Sequence, residues 1–109
     1  EQLNGADAEW LGFGQSRIHV SSPVLECGGV RRELTYREAK LLRLFAAHPR
    51  ELLERDEILR RVWEDEGVQV GRSVDVFVSR LRKKLSGDPS VAIVAVHGVG
   101  YKLETVVPD

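Results

Sequence analysis

The side chains of this chain that could act chemically are few and scattered. Its three histidines, His19, His48 and His97, lie far apart, and none has a cysteine or carboxylate at metal-ligand spacing. No zinc site is expected from such an arrangement. Cys27 is the only cysteine and is followed by two glycines. No cation adjoins it to lower its thiol pKa, so it reads as a turn residue and not a nucleophile. One cysteine cannot form an internal disulfide, which points to a reducing compartment and a cytoplasmic setting. Gly98-Val99-Gly100 looks like part of a phosphate loop, but a β-rich run follows it, so no helix N-terminus is there to hold a phosphate. Glu64, Asp65 and Glu66 form an acidic run without the alternating spacing of a calcium loop. These residues support neither an enzyme nor a metal or cofactor site.

What remains is charge. Residues 72–85 read RSVDVFVSRLRKKL. Val74, Val78, Leu81 and Leu85 fall on one stripe of an α-helix. Beside that stripe stand Arg72, Arg80, Arg82, Lys83 and Lys84, opposed only by Asp75. Residues 72–84 therefore carry +4 in a chain whose net charge is −1. Segregation of this kind fits a helix with one face in a core and another offered to a polyanion. A solvated basic face fits the helix alone equally well, and the elements around it must decide.

The chain of 109 residues suits one domain with its own core. Its 42% hydrophobic and 30% charged residues exclude a disordered chain. No apolar run approaches the ~20 residues of a membrane helix, so no membrane partner is expected. The opening EQLNGADAEW has no apolar h-region, so no signal peptide is expected, and the lack of an initiator Met suggests a fragment or processed chain. Residues 1–9 read as a linker or frayed terminus.

From residue 10 to 34, short β-like runs alternate with Gly, Ser and Pro, which predicts a small antiparallel sheet of three or four strands with a turn at Cys27-Gly28-Gly29. At Thr35 the texture changes. Thr35 and Glu38 match a capping box, and a dense apolar pattern runs to a stop at Pro49. A second helix is expected over about 55–63, with Ile58, Leu59, Val62 and Trp63 on its buried edge. A loop follows at 64–71, then the basic helix, ended by Gly87-Asp88-Pro89. Two β-rich runs within 91–106, around 97–100, make a hairpin. The expectation is an α+β winged helix-turn-helix over 10–106: a sheet at about 10–34, three helices within 35–86, and a wing hairpin at about 91–106.

In that order of elements the basic helix acquires a partner. A helix with its side chains fits the major groove of DNA, which is about 12 Å wide. Arg80, off the apolar stripe, is the candidate for a bidentate contact to guanine. Arg72, Arg82 and Lys83 are better placed for phosphates. The hairpin tip at 97–100 would reach the neighbouring minor groove.

The runs LTYREAKLLRLFAAHP, LLERDEILRRVW, RSVDVFVSRLRKKL and VHGVGYKL closely resemble the OmpR/PhoB-type effector domain of bacterial response regulators, over about residues 34–103. The resemblance implies a two-component transcription regulator that binds promoter DNA, commonly as a head-to-tail dimer on direct repeats. It also implies a receiver domain in the full-length protein, and a loop after the second helix that touches RNA polymerase, here with Glu64, Asp65 and Glu66. The implied DNA-facing set is Arg72, Ser73, Phe77, Ser79, Arg80, Arg82, Lys83, His97 and Val99, from a recognition helix over 73–85 and a wing at 97–100. Four positions depart from the family pattern. Phe77 stands where histidine is common, and would pack on a thymine methyl or sugar, or extend the core. Ser79 replaces a frequent basic residue. His97 replaces a frequent wing arginine, which makes the charge there depend on pH. Glu54 replaces the usual serine cap of the second helix. Ser79, His97 and the net charge also fit a rival reading, a winged helix that binds protein and has weakened or lost DNA binding.

Overall fold

The computed structural model describes residues 9–64 and 71–105, with the side chains of 71–73 outside that description. Four short strands, β1 (Trp10–Phe13), β2 (Ser16–His19), β3 (Val24–Cys27) and β4 (Val30–Glu33), form an antiparallel sheet in chain order. Period-two alternation separates its faces. Ile18 pairs with Leu25, and both are fully buried. Arg17 pairs with Glu26, and their side chains form a 2.9 Å ion pair on the other face. The turn expected after Cys27 is present. Gly28 and Gly29 hold φ of 58° and 87° there, a region glycine enters without a steric penalty.

Helix α1 (Tyr36–Ala47) begins with the expected capping box. Thr35 Oγ1 accepts from the Glu38 N–H at 3.2 Å, and the Glu38 carboxylate accepts from the Thr35 N–H at 3.0 Å. His48 caps its C-terminus, one residue before Pro49. Strand β5 (Leu53–Glu54) and helix α2 (Arg55–Trp63) follow, then helix α3 (Gly71–Lys84) and the hairpin of β6 (Val91–Val96) and β7 (Gly100–Thr105). Val74, Val78, Leu81 and Leu85 are all buried, as their spacing requires, and pack with Leu41, Leu42, Phe45, Ile58 and Leu103 in one core. Removing each such side chain from water stabilises the fold by about 1.5–3 kcal/mol at most.

Strand β5 has no counterpart in the sequence reading. Its two residues pair with Tyr101 and Gly100, so the wing is a three-stranded sheet in the order β5–β7–β6. The close approach requires glycine. A Cβ on Gly100 would lie 2.0 Å from the Leu53 carbonyl oxygen. The wing is therefore joined to the chain just ahead of α2.

A second joint ties the N-terminal sheet to the loop after α3. Asp88 is 1% exposed, and its carboxylate accepts from the Gln15 N–H, the Ser16 hydroxyl, and the N–H and hydroxyl of Ser90. Burial pushes its pKa up, but the hydrogen bonds from Ser16, Ser90 and Gln15 outweigh that and hold it below the usual carboxylate range.

Candidate nucleic-acid interface

Helix α3 is bonded to the wing through Asp75 and Tyr101 and through Arg82 and Ile93. Ser79, Arg80 and Lys83 are exposed on the helix, and His97, Gly98 and Val99 are exposed at the turn. A bond from the Val99 N–H to the Val96 carbonyl closes that turn, and Gly98 takes φ of 75°. Among the described residues, Arg80 and Lys83 have no carboxylate partner, so their charge faces solvent. The side chains of Arg72 and Ser73, and all of Asp65 and Glu66, lie outside the described residues. Glu64, just past α2, is exposed.

Two of the expected contacts are engaged within the protein. Arg82 sends both Nε (3.0 Å) and Nη2 (2.8 Å) to the Ile93 carbonyl oxygen on β6. It thus ties the helix to the wing, while the side chain itself stays exposed. Phe77 is half-buried and packs against the core. Its ring meets Trp63 edge-on at 5.3 Å, and the Arg80 guanidinium carbon lies over it at 4.9 Å. Of the alternatives open to Phe77, the core contact is observed. Lys84 bonds the Glu33 carbonyl (3.0 Å) and pairs with Glu38 (3.5 Å).

Three residues that position this face were not singled out by sequence. Asp75, on α3, accepts hydrogen bonds from the Tyr101 hydroxyl of β7 and from Arg55 Nη1 at the start of α2, the latter at 2.8 Å. Tyr101 and Arg55 together hold the Asp75 carboxyl below its usual range. Burial and the neighbouring carboxylate raise the Tyr101 phenol above its own, partly opposed by Arg55. Glu54 makes no side-chain cap bond at α2. The Arg55 N–H instead donates to the Val99 carbonyl at 3.1 Å, so the wing turn supplies an acceptor at that helix start. In sequence, Asp75 is an acid among cations. Only its alignment with Arg55 and Tyr101, which lie 20 and 26 positions away, reveals the joint.

Other chemistry is sparse. Among the described residues, no group of three or more His, Cys, Asp or Glu is arranged to hold a metal, and no helix is long and apolar enough to cross a membrane. Cys27 is buried.

The family model described as "Transcriptional regulatory protein, C terminal" matches residues 29–103. The transcriptional regulatory protein RprY of Bacteroides fragilis is 38% identical over 97 residues, which is 89% of this chain and 41% of RprY. The chain thus spans less than half the length of this curated relative. The C-terminal domain of the nisin resistance regulator NsrR superposes with a TM-score of 0.75 at 27% identity, covering 91% of this chain and 99% of that one. The Klebsiella pneumoniae RstA DNA-binding domain, solved in complex with its RstA box, gives 0.72 at 29% identity, covering 88% and 97%. A winged helix of α+β class, matched over most of its length in sequence and in structure, places this chain in the C-terminal domain family of transcriptional regulatory proteins, the OmpR/PhoB-type effectors of response regulators.

Proposed function

We propose that this domain binds double-stranded promoter DNA, with α3 in the major groove and the turn at 97–99 beside the adjacent minor groove. One observation carries the reading. The exposed, acid-free cations Arg80 and Lys83 lie on a helix that Asp75, Arg55, Tyr101 and Arg82 fix against the wing. The likeness to the RstA DNA-binding domain, whose crystal structure holds the RstA box, supports it. In this reading Arg80 reads a base edge, and Arg72, Ser73, Ser79, Lys83, His97 and Val99 lie along the backbone or in the groove. Arg82 acts from behind, through Ile93.

The same membership supports a response regulator acting in the cytoplasm as a head-to-tail dimer on direct repeats. It also supports a receiver domain elsewhere in the full-length protein, and an acidic loop at Glu64, Asp65 and Glu66 that meets RNA polymerase. No catalytic step is assigned to the domain.

Selection from a random DNA pool, followed by a salt titration on the selected site, tests the binding. About five phosphate contacts give a log–log slope of roughly −4 to −5. Arg80→Ala should weaken the selected site by about 1–3 kcal/mol and relax preference at one base pair. Failure to enrich any sequence, with no salt-dependent binding, would overturn the proposal in favour of a protein-binding winged helix.

A further inference from the structure

The geometry points to Phe77 as the residue that aims Arg80, and so as a determinant of base preference that itself makes no polar contact to a base. The inference rests on the DNA-binding reading above. Phe77 and Arg80 are separated by three positions on α3. Helical side chains lean toward the helix N-terminus, so an arginine at i+3 comes back over residue i. Here the Arg80 guanidinium carbon sits 4.9 Å from the Phe77 ring centroid.

The ring beneath it is itself held. Phe77 meets Trp63 edge-on, at 5.3 Å and 80° between planes, and Trp63 is only 4% exposed. The Arg37 guanidinium carbon lies 5.8 Å from the Trp63 ring, and Arg37 donates to the Val62 carbonyl. A chain of ring and cation contacts therefore runs from α1 through α2 to the exposed face of α3, and it ends on Arg80.

Arg82 and Arg80 show the two things this helix does with an arginine. Arg82 spends its Nε and one Nη on a backbone carbonyl. Among the described residues, Arg80 makes no hydrogen bond or ion pair, and the ring is the contact that restricts it. A contact over the ring leaves the donors at the guanidinium edge free for a bidentate acceptor. An aliphatic side chain at 77 would fill the same space against Trp63 but offer no π-face, and Arg80 would then sample the rotamers open to a long exposed side chain.

The test compares wild type, Phe77→Leu, Phe77→Tyr, Arg80→Ala and the Phe77→Leu/Arg80→Ala double variant on the selected site and on each of its single-base-pair changes. Phe77→Leu is expected to lose roughly two- to fivefold of discrimination at the base pair that Arg80→Ala flattens, and little elsewhere. Phe77→Tyr should restore it, and the double variant should discriminate no less than Arg80→Ala alone. In the free protein, the Arg80 δ-methylene protons should be shifted upfield by the ring current in wild type and return to ordinary values in Phe77→Leu. Full discrimination in Phe77→Leu, an equal loss on cognate and random DNA, or an unshifted Arg80 methylene in wild type would each overturn the role of Phe77 while leaving DNA binding intact. No binding by wild type to any DNA would overturn the functional reading, and this role with it.

Discussion

Two aspartates each gather several donors, and they do different work. Asp88 is buried and surrounded by neutral groups, namely two serine hydroxyls and two backbone N–H groups. Asp75 is half-exposed, with an arginine and a tyrosine hydroxyl as its partners. Both carboxyls have depressed pKa values. Salt screens exposed charges and hardly reaches buried ones, so ionic strength should weaken the Asp75–Arg55 pair and leave the Asp88 cluster intact. The buried joint fastens the N-terminal sheet to the helical core. The exposed one ties α3 to β7 and to the start of α2, on the face proposed to meet DNA.

The largest break is Asp88→Ala. It strands four donors beneath the surface and should cost about 3–5 kcal/mol of unfolding free energy by urea titration. A loss under about 1 kcal/mol would show that water readily replaces the carboxylate. Acid offers the next test. Both carboxyls titrate lower in the folded than in the unfolded chain, so their stabilisation is complete above the ordinary aspartate pKa of about 3.9. It disappears as pH falls through the depressed folded values. The stability gap between wild type and Asp88→Asn should therefore be constant above about pH 5 and shrink below about pH 4. A gap that widens on acidification would reverse the assignment.

Asp75→Ala should cost less, about 1–2 kcal/mol. It should also let the Tyr101 phenol titrate lower, which an ultraviolet tyrosine titration reads, and weaken DNA binding more than its stability loss explains. An unmoved phenol would mean that burial alone raises it. Lys83→Ala, which disturbs neither joint, is the control. Stability should stay within about 0.5 kcal/mol, while the salt slope falls by about 1. An unchanged slope would place Lys83 away from phosphate.

Patterns that close within a few residues are legible in a sequence, and joints between distant residues are not. The capping box at Thr35, the stripe from Val74 to Leu85 and the glycine turn after Cys27 were legible because each is a local pattern whose physics closes within a few residues. The joints were not. Asp88 read as part of a helix stop, and nothing near it in sequence announces Gln15, Ser16 and Ser90 as its donors. Strand β5 escaped because two residues show no alternation. Arg82 and Arg80 are equivalent by composition. Only the position of Ile93 separates an arginine bonded to the wing from one that is not.

The fit of Gly100 against Leu53 has a mechanical consequence. Strand β7 pairs with β5 at that point, so the wing is joined to the chain ahead of α2 and does not hang from α3 alone. The domain is a calliper with fixed jaws, α3 on one side and the turn at 97–99 on the other. In the proposed binding mode, a domain held at this spacing leaves the duplex to supply the bend that brings both grooves to α3 and the turn. The stiffness of the base steps between them then becomes part of the recognised sequence, even where no side chain touches.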